Sequence, residues 1–425
     1  MSREELAGGG FVRRDGVLFC EGVPMAELAA RFGTPLYVYS RAAITAAYAG
    51  YADALRGRRT LVCYAMKANS NLAVLDVLAR LGAGFDIVSG GELARVLAAG
   101  GSAQRTVFSG VGKSEQEIAQ ALAADILCFN VESAAELARI DRIAQAAGRR
   151  ARVSLRVNPD VDARTHPYIS TGLKQNKFGV AYEDALPLYR EAARLPGITV
   201  AGIGCHIGSQ ITEVAPYLDA AARILDIVQA LQRDGITLAH IDFGGGLGIR
   251  YRDETPPAPA ELVRALLAEL EARGLADRTL MFEPGRSIVG NAGVLVARVE
   301  YLKSTAAKNF AIVDAAMNDL LRPTLYDAWM DAVPVAPRSA AAVKVDVVGP
   351  VCESGDWLAR DRELALVPGD LIAITGAGAY GMVMSSNYNT RPRAAEVMVD
   401  GARAYEVRRR EAVSDLYAGE SRLPG

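Results

Sequence analysis

Tyr64-Ala65-Met66-Lys67-Ala68-Asn69 closes the apolar run Leu61-Val62-Cys63-Tyr64-Ala65-Met66, and Ser70-Asn71 and a helical pattern over residues 72–81 follow at once. Read outward from the lysine, this is a buried strand that ends on an amine, then a polar turn, then a helix. An α/β barrel places its chemistry at the C-terminal ends of such strands. A lysine held there, partly out of water, is a usable nucleophile toward an aldehyde. The same side chain could equally snorkel from a strand end into solvent. The segment by itself leaves both roles open.

The unit recurs along the chain. Short β-rich runs end near Lys67, Ser89, Gly110, Asn130, Asn158, His206, Gly246 and Glu283, with helical patterns over residues 72–81, 91–99, 133–147 and 216–234 among them. Strand and helix alternating at this spacing specify a parallel sheet with crossover helices. A doubly wound sheet reads the same way locally. Eight units favour an α/β architecture of the TIM-like (β/α)8 kind, whose strand ends share one mouth. After residue 290 the texture changes. Residues 294–299, 343–348, 371–374 and 397–399 read as strands, and Asp400-Gly401 is a two-residue hairpin signal. The expected organisation is a barrel over residues 41–290 and a C-terminal antiparallel β domain over 291–425. An N-terminal segment, 1–40, has β-like pieces at 17–20 and 36–39 that would join the β domain. Residues 332–342, rich in Pro, Ala and Ser, read as a loop.

Bulk properties narrow the classes. A chain of 425 residues exceeds one ordinary core, which argues for two domains. Lys plus Arg is 47 and Asp plus Glu is 49, a net charge of -2, so neither a nucleic-acid nor a membrane surface is expected as partner. The N-terminus is charged and then Gly-rich, without the apolar stretch of a secretory signal, and no apolar run has the length of a membrane span. Cys20, Cys63, Cys128, Cys205 and Cys352 form no C-x-x-C pair, which argues against a zinc site and a disulfide framework. A reduced, cytoplasmic protein without a metal is the expectation; His166, His206 and His240 are too dispersed to form a cluster.

Other strand ends carry polar groups. Asp242-Phe243-Gly244-Gly245-Gly246-Leu247-Gly248 follows a strand. Its three glycines either turn backbone N–H groups toward an anion such as a phosphate or simply make a tight βα turn. Glu283-Pro284-Gly285-Arg286 puts a carboxylate and a guanidinium at i and i+3, either facing the mouth or forming a local ion pair. Gly204-Cys205-His206-Ile207-Gly208-Ser209-Gln210 sets a histidine among glycines, where it is either a structural hydrogen-bonded residue or lies flat on a planar ring. Phe85-Asp86-Ile87-Val88-Ser89-Gly90-Gly91-Glu92 adds polar groups at another strand end. Gly376-Ala377-Gly378-Ala379-Tyr380-Gly381 formally matches G-x-G-x-x-G, but a loop-like Ser385-Ser386-Asn387-Tyr388-Asn389-Thr390 stands where a dinucleotide site needs a helix.

Taken together, Tyr64 to Asn69, His206 to Gln210, Gly244 to Gly246, Glu283 to Arg286, Arg322-Pro323-Thr324-Leu325-Tyr326-Asp327-Ala328, Cys352-Glu353-Ser354-Gly355-Asp356 and Gly378-Ala379-Tyr380-Gly381 resemble the fold-type III pyridoxal-phosphate-dependent decarboxylases. The likeness runs over nearly the whole chain. It is strongest to the branch that acts on diaminopimelate, because Glu353, where ornithine-type members usually carry aspartate, follows Cys352. The resemblance implies an alanine racemase-like fold and pyridoxal 5'-phosphate as cofactor. It implies an amino-acid substrate, meso-2,6-diaminopimelate, losing CO2 to leave L-lysine. The alternative is a related substrate: D-lysine, D-ornithine or carboxynorspermidine.

The same resemblance implies roles. Lys67 would hold the cofactor aldehyde covalently, His206 would stack on its ring, and Glu283 would keep the ring nitrogen protonated. Gly244, Gly245, Gly246 and Tyr380 would hold the phosphate, with Asp86, Ser209, Pro284, Gly285 and Arg286 around the cofactor. Cys352 would be the general acid that returns a proton to carbon. Arg286, Arg322, Tyr326, Glu353 and Tyr380 would bind the substrate's distal end. Cys352 and Glu353 would reach into a partner subunit's site, which implies a homodimer with shared active sites. The stretch His166-Pro167-Tyr168-Ile169-Ser170-Thr171-Gly172-Leu173-Lys174 is also typical of the family, without individual roles.

Overall fold

The computed structural model describes residues 3–6, 9–162 and 177–424; the stretch His166 to Lys174 lies outside them. The chain forms two compact units. One comprises residues 47–249 and 255–287, the other residues 1–46, 250–254 and 288–425.

The first unit is a closed parallel barrel. Its strands are β1 (Thr60–Ala65), β2 (Gly84–Ile87), β3 (Thr106–Phe108), β4 (Cys128–Val131), β5 (Ala151–Asn158), β6 (Ile198–Gly204), β7 (His240–Asp242) and β8 (Thr279–Phe282). Each pairs with the next, and β8 closes on β1 with Leu280 opposite Thr60. These are the eight runs legible in the sequence. Leu61, Cys63, Val107, Cys128 and Met281 form one buried cluster contributed by four of the strands. The polar residues after the strands are the start signals of the crossover helices. Asn71, Ser89 and Ser133 accept N–H groups of the first turns of helices Leu72–Arg80, Gly90–Ala98 and Ala134–Ala146. Ser114 with Glu117 makes a reciprocal capping box. Chain direction is therefore set locally at each strand end, and so is the side of the sheet on which polar groups collect.

The second unit is built on β-sheets. Strands run in the order Trp357–Leu364, Val343–Val348, Asn309–Val313, Gly293–Ser304, Leu36–Ser40, Ala395–Asp400 and Arg403–Arg408, and Leu371–Ile374 also pairs with Gly293–Ser304. The sheet is mixed rather than wholly antiparallel. Leu36–Ser40 enters it between Gly293–Ser304 and Ala395–Asp400 and runs parallel to the latter, and Asn309–Val313 runs parallel to Val343–Val348. A strand arriving from the chain's far end is free of the hairpin geometry that makes sequential neighbours antiparallel. The Val17–Cys20 strand belongs to a separate four-stranded sheet. It shares a buried cluster with the larger one: Leu18 and Cys20 pack with Val38, Val294 and Val397. The expected loop at 332–342 begins as a strand, Ala332–Pro334, paired with Leu371–Ile374. The Asp-Gly hairpin forms one residue later than read: Asp400 pairs with Arg403, and Gly401 at φ +62° takes the turn.

The G-x-G-x-x-G match has a packing explanation. A Cβ on Gly378 would lie 1.9 Å from the Val289 carbonyl oxygen, and one on Gly381 2.8 Å from the Tyr37 hydroxyl. A short 3-10 turn, Met382–Met384, follows in place of a helix.

Candidate active site

Five of the eight strand ends bring the barrel's candidate residues to one mouth. Lys67 lies in a single 3-10 turn after β1, and its Nζ is 2.9 Å from Asp86 Oδ2 on β2. The Asp86 side chain is wholly buried and its Oδ1 has no hydrogen-bond partner. The Lys67 side chain is 41% exposed. The sequence argument placed this amine partly out of water at a strand end; barrel closure adds the anionic partner that the sequence did not show.

His206 follows β6. The Gly245 N–H donates to its Nδ1 over 3.3 Å, which assigns the proton of the neutral ring to Nε2. Loss of water around the ring, with the Arg156 and Lys67 cations, holds its pKa well below the usual histidine value. A neutral, flat ring is the form that can stack on another ring.

The glycine triplet after β7 is sterically obligatory. A Cβ on Gly244, Gly245 or Gly246 would lie 2.1–2.4 Å from a carbonyl oxygen of Cys205, Glu283 or Gly208, and Gly244 and Gly246 sit at φ +67° and +101°. The three amides do not point to one spot. The Gly244 N–H donates to Asp242 Oδ1 over 2.8 Å and the Gly245 N–H to His206, so of the three only Gly246 keeps its amide clear of those side chains.

Glu283 follows β8. Burial pushes its carboxyl well above the usual range, Asp242 and Asp86 add to the rise, and Lys67 opposes it. Burial likewise raises Asp242 to about 6. The Pro284-Gly285 turn is tied to β1: the Ala65 N–H donates to the Pro284 carbonyl over 3.0 Å, and a Cβ on Gly285 would meet the Ala65 oxygen at 3.0 Å. Arg286 does not pair with Glu283 in a local bridge; it is buried and donates through Nη2 to Ser209 Oγ over 3.0 Å.

The remaining candidates lie in the second unit. Arg322 and Tyr326 share one face of the short helix Arg322–Tyr326, and the buried Arg322 guanidinium sits 4.6 Å from the centre of the Tyr251 ring. Cys352 and Glu353 occupy an exposed turn, where the Cys352 N–H donates to Asn389 Oδ1 over 3.3 Å and Tyr388 donates its hydroxyl proton to Glu353 Oε1 over 2.5 Å. Buried Asp356 staples this turn by accepting the Met317 and Val351 N–H groups, each over 2.7 Å. Tyr380 is held at φ +56°, a strained setting for a bulky residue.

Sequence reading missed three polar residues at the mouth. Asn130 donates to Glu283 Oε1 over 2.9 Å, Ser109 accepts from Asn130, and Arg156 pairs with Glu132 at 3.2 Å. Asn130 was visible only as the polar end of the fourth run; nothing local told its partner.

Three carboxylates (Asp86, Asp242 and Glu283) meet Lys67 at this mouth, Asp242 and Glu283 bonded side chain to side chain, and Asp86 Oδ1 is buried without a partner. Such a donor set fits a group that brings a cationic ring nitrogen to Glu283 and an aldehyde to Lys67, which is the chemistry of pyridoxal phosphate.

The comparisons point the same way. The family model described as "Pyridoxal-dependent decarboxylase, pyridoxal binding domain" matches residues 41–290. A diaminopimelate decarboxylase of Pseudomonas aeruginosa is 62% identical over 414 residues, covering 97% of this chain and 99% of that one. The crystal structure of diaminopimelate decarboxylase from Helicobacter pylori complexed with L-lysine matches with a TM-score of 0.90 at 44% identity, covering 93% and 99% of the two chains. That of the m. jannaschii enzyme in co-complex with L-lysine matches with a TM-score of 0.93 at 37% identity, covering 99% of each.

Proposed function

The chain belongs to the pyridoxal-dependent decarboxylase family, and on that premise we propose that it removes CO2 from meso-diaminopimelate to yield L-lysine. The observation that carries the reading is the meeting, at one barrel mouth, of an amine, Lys67, bonded to Asp86, with a second, crowded and buried carboxylate, Glu283, whose charge it favours. It occurs in a chain alike end to end to diaminopimelate decarboxylases.

Bound, pyridoxal phosphate supplies an electron sink for the pair left when CO2 departs. This chain's residues do the rest. Lys67 Nζ anchors the aldehyde carbon. Glu283, crowded by other carboxylates, holds a proton at the ring nitrogen. His206, neutral, lies against the ring. Gly246 contributes an amide to the phosphate, and the other two glycines let the strand ends close around it. As the Cα–carboxylate bond breaks, its electron pair stays on Cα, and Cys352 Sγ supplies the proton that Cα takes up. Replacing Cys352 with alanine should lower kcat by about 10²–10⁴-fold and leave the cofactor's dissociation constant unchanged; wild-type turnover would remove the assignment.

Substrate choice follows from unpaired charge. Arg286, Arg322 and Tyr326 suit the distal carboxylate of diaminopimelate, and Glu353 its ammonium. A substrate without that carboxylate forgoes charged hydrogen bonds to these groups, at roughly 1.5–3 kcal/mol for each one lost. CO2 release should therefore favour meso-diaminopimelate over D-lysine, D-ornithine and carboxynorspermidine by at least about 10²-fold in kcat/KM. A faster rate on any of the other three would overturn the substrate. The exposed Cys352-Glu353 turn supports a homodimer in which it completes the partner's site, testable by sedimentation and by mixing Cys352→Ala with Lys67→Ala protein. Five free cysteines support a reducing, cytoplasmic setting.

A further inference from the structure

β4 and β8 stand four places apart in the closed ring of eight, so a contact between their ends crosses the barrel axis. Asn130, the third residue of β4, makes that contact. Its Nδ2 donates to Glu283 Oε1 over 2.9 Å and to Ser109 Oγ, just past β3, over 3.1 Å. Its Oδ1 faces Cys128 Sγ at 3.7 Å. Both amide hydrogens are thereby committed. The amide's sense is fixed as well, because the opposite flip would set Oδ1 against a carboxylate oxygen.

The residue is also rigidly held. It is 6% exposed, and its backbone carbonyl accepts from Lys113 Nζ over 2.9 Å. Lys113 is itself pinned by the Gly110 carbonyl and by Glu136, each at 2.7 Å. This is an oriented donor on a strand end, supported from beneath by a buried ion pair.

We propose that Asn130 is a positioning residue that clamps Glu283 Oε1 and so presents the carboxylate's other oxygen to the cofactor's ring nitrogen. The proposal rests on the reading of Glu283 given above and adds what orients it. The groups around Glu283 show why a neutral donor is needed. Burial, Asp242 on β7, whose side chain also bonds to Glu283, and Asp86 on β2 push it toward the protonated form, Lys67 after β1 opposes them, and Arg156 on β5 acts on Asp242. The thiols of Cys63 and Cys128 nearby are pushed upward and stay neutral. An amide favours the ionised carboxylate without cancelling the charge that the ring proton requires. A cation at position 130 would compete with that proton. A methyl group would leave Glu283 with Asp242 as its side-chain partner, which favours the protonated form.

The test compares holoenzyme carrying Asn130→Ala, Asn130→Asp, Glu283→Gln and the Asn130→Ala/Glu283→Gln pair. The readouts are kcat against pH, the pH titration of the bound cofactor's visible absorption, and the dissociation constant of pyridoxal phosphate by fluorescence. Asn130→Ala should lower kcat roughly ten- to a hundredfold, as expected for one lost hydrogen bond to a charged group, and move the acidic limb of both profiles to higher pH. Asn130→Asp, nearly isosteric, should move that limb further by adding a carboxylate, and it carries the test if the alanine variant folds poorly. In the Glu283→Gln background the Asn130→Ala effect should largely vanish. An undiminished effect there would show that Asn130 acts by packing, and unchanged profiles in both single variants would equally overturn the proposal. Wild-type behaviour of Glu283→Gln alone would instead remove the Glu283 reading.

Discussion

Replacing Lys67 with alanine is expected to abolish CO2 release, with kcat lowered at least about a thousandfold, and to remove the covalently attached cofactor. Two effects combine. The nucleophilic nitrogen is gone, and Glu283 loses the cation that opposes its protonation, which weakens the hold on the ring nitrogen. Lys67→Arg separates them. It restores a positive charge beside Asp86 but offers no amine for imine chemistry, so it should be as inactive as alanine while keeping more of the cofactor affinity. Borohydride reduction of the loaded wild-type protein, followed by peptide mapping, should place the pyridoxyl mass on Lys67. The natural competitor in the barrel is Lys113, which ends three hydrogen bonds, to the carbonyls of Gly110 and Asn130 and to Glu136, with a side chain 1% exposed. All three of its N–H donors are spent and the side chain is closed off from solvent. A pyridoxyl group found on Lys113, or an active Lys67→Ala enzyme, would end the account.

Replacing Glu283 with glutamine should move activity and stability in opposite directions. The neutral amide cannot hold a charged ring proton, so kcat should fall by two to three powers of ten. The apoprotein should not suffer. Glu283 is a buried carboxyl whose folded pKa is raised, so above the ordinary carboxylate value the unfolded chain binds fewer protons than the folded one. Its contribution to stability therefore falls as pH rises from about 4.5 through the raised folded value. Asp242, raised to about 6, adds a loss of the same sign, on the order of a few kcal/mol for a shift of that size. Glutamine at 283 removes one of the two titrating groups and leaves Asp242 as the other. Apo Glu283→Gln should thus melt at or above the wild-type temperature at pH 8, and its melting temperature should depend less on pH between 4 and 8. A variant that is both active and less stable would contradict the view that this carboxylate is strained in order to serve a cation.

The barrel was readable because its signals are local. Each of the eight runs ends on a polar or glycine residue, and Asn71, Ser89, Ser114 and Ser133 mark helix starts within a few residues of those ends. Periodicity and capping act over one turn or one strand, so the chain states them in order. The candidate mouth residues were readable for the same reason: strand ends of a parallel barrel share a face whatever the sequence between them. The parallel entry of Leu36–Ser40 beside Ala395–Asp400 was not readable, because pairing across that distance leaves no periodic trace.

The sequence by itself determined the order of strands and helices, the side of the barrel on which polar groups gather, and the chemical types gathered there. Tertiary structure alone decided their electrical and hydrogen-bonding partners. It set Lys67 against Asp86, turned two of the three glycine amides to Asp242 and His206, and bound Asn130 to a carboxylate 153 residues away. The physical reason is closure. Strand direction follows from short-range backbone and capping preferences, whereas which charge faces which, and how far water is excluded between them, exists only once the eighth strand has paired with the first.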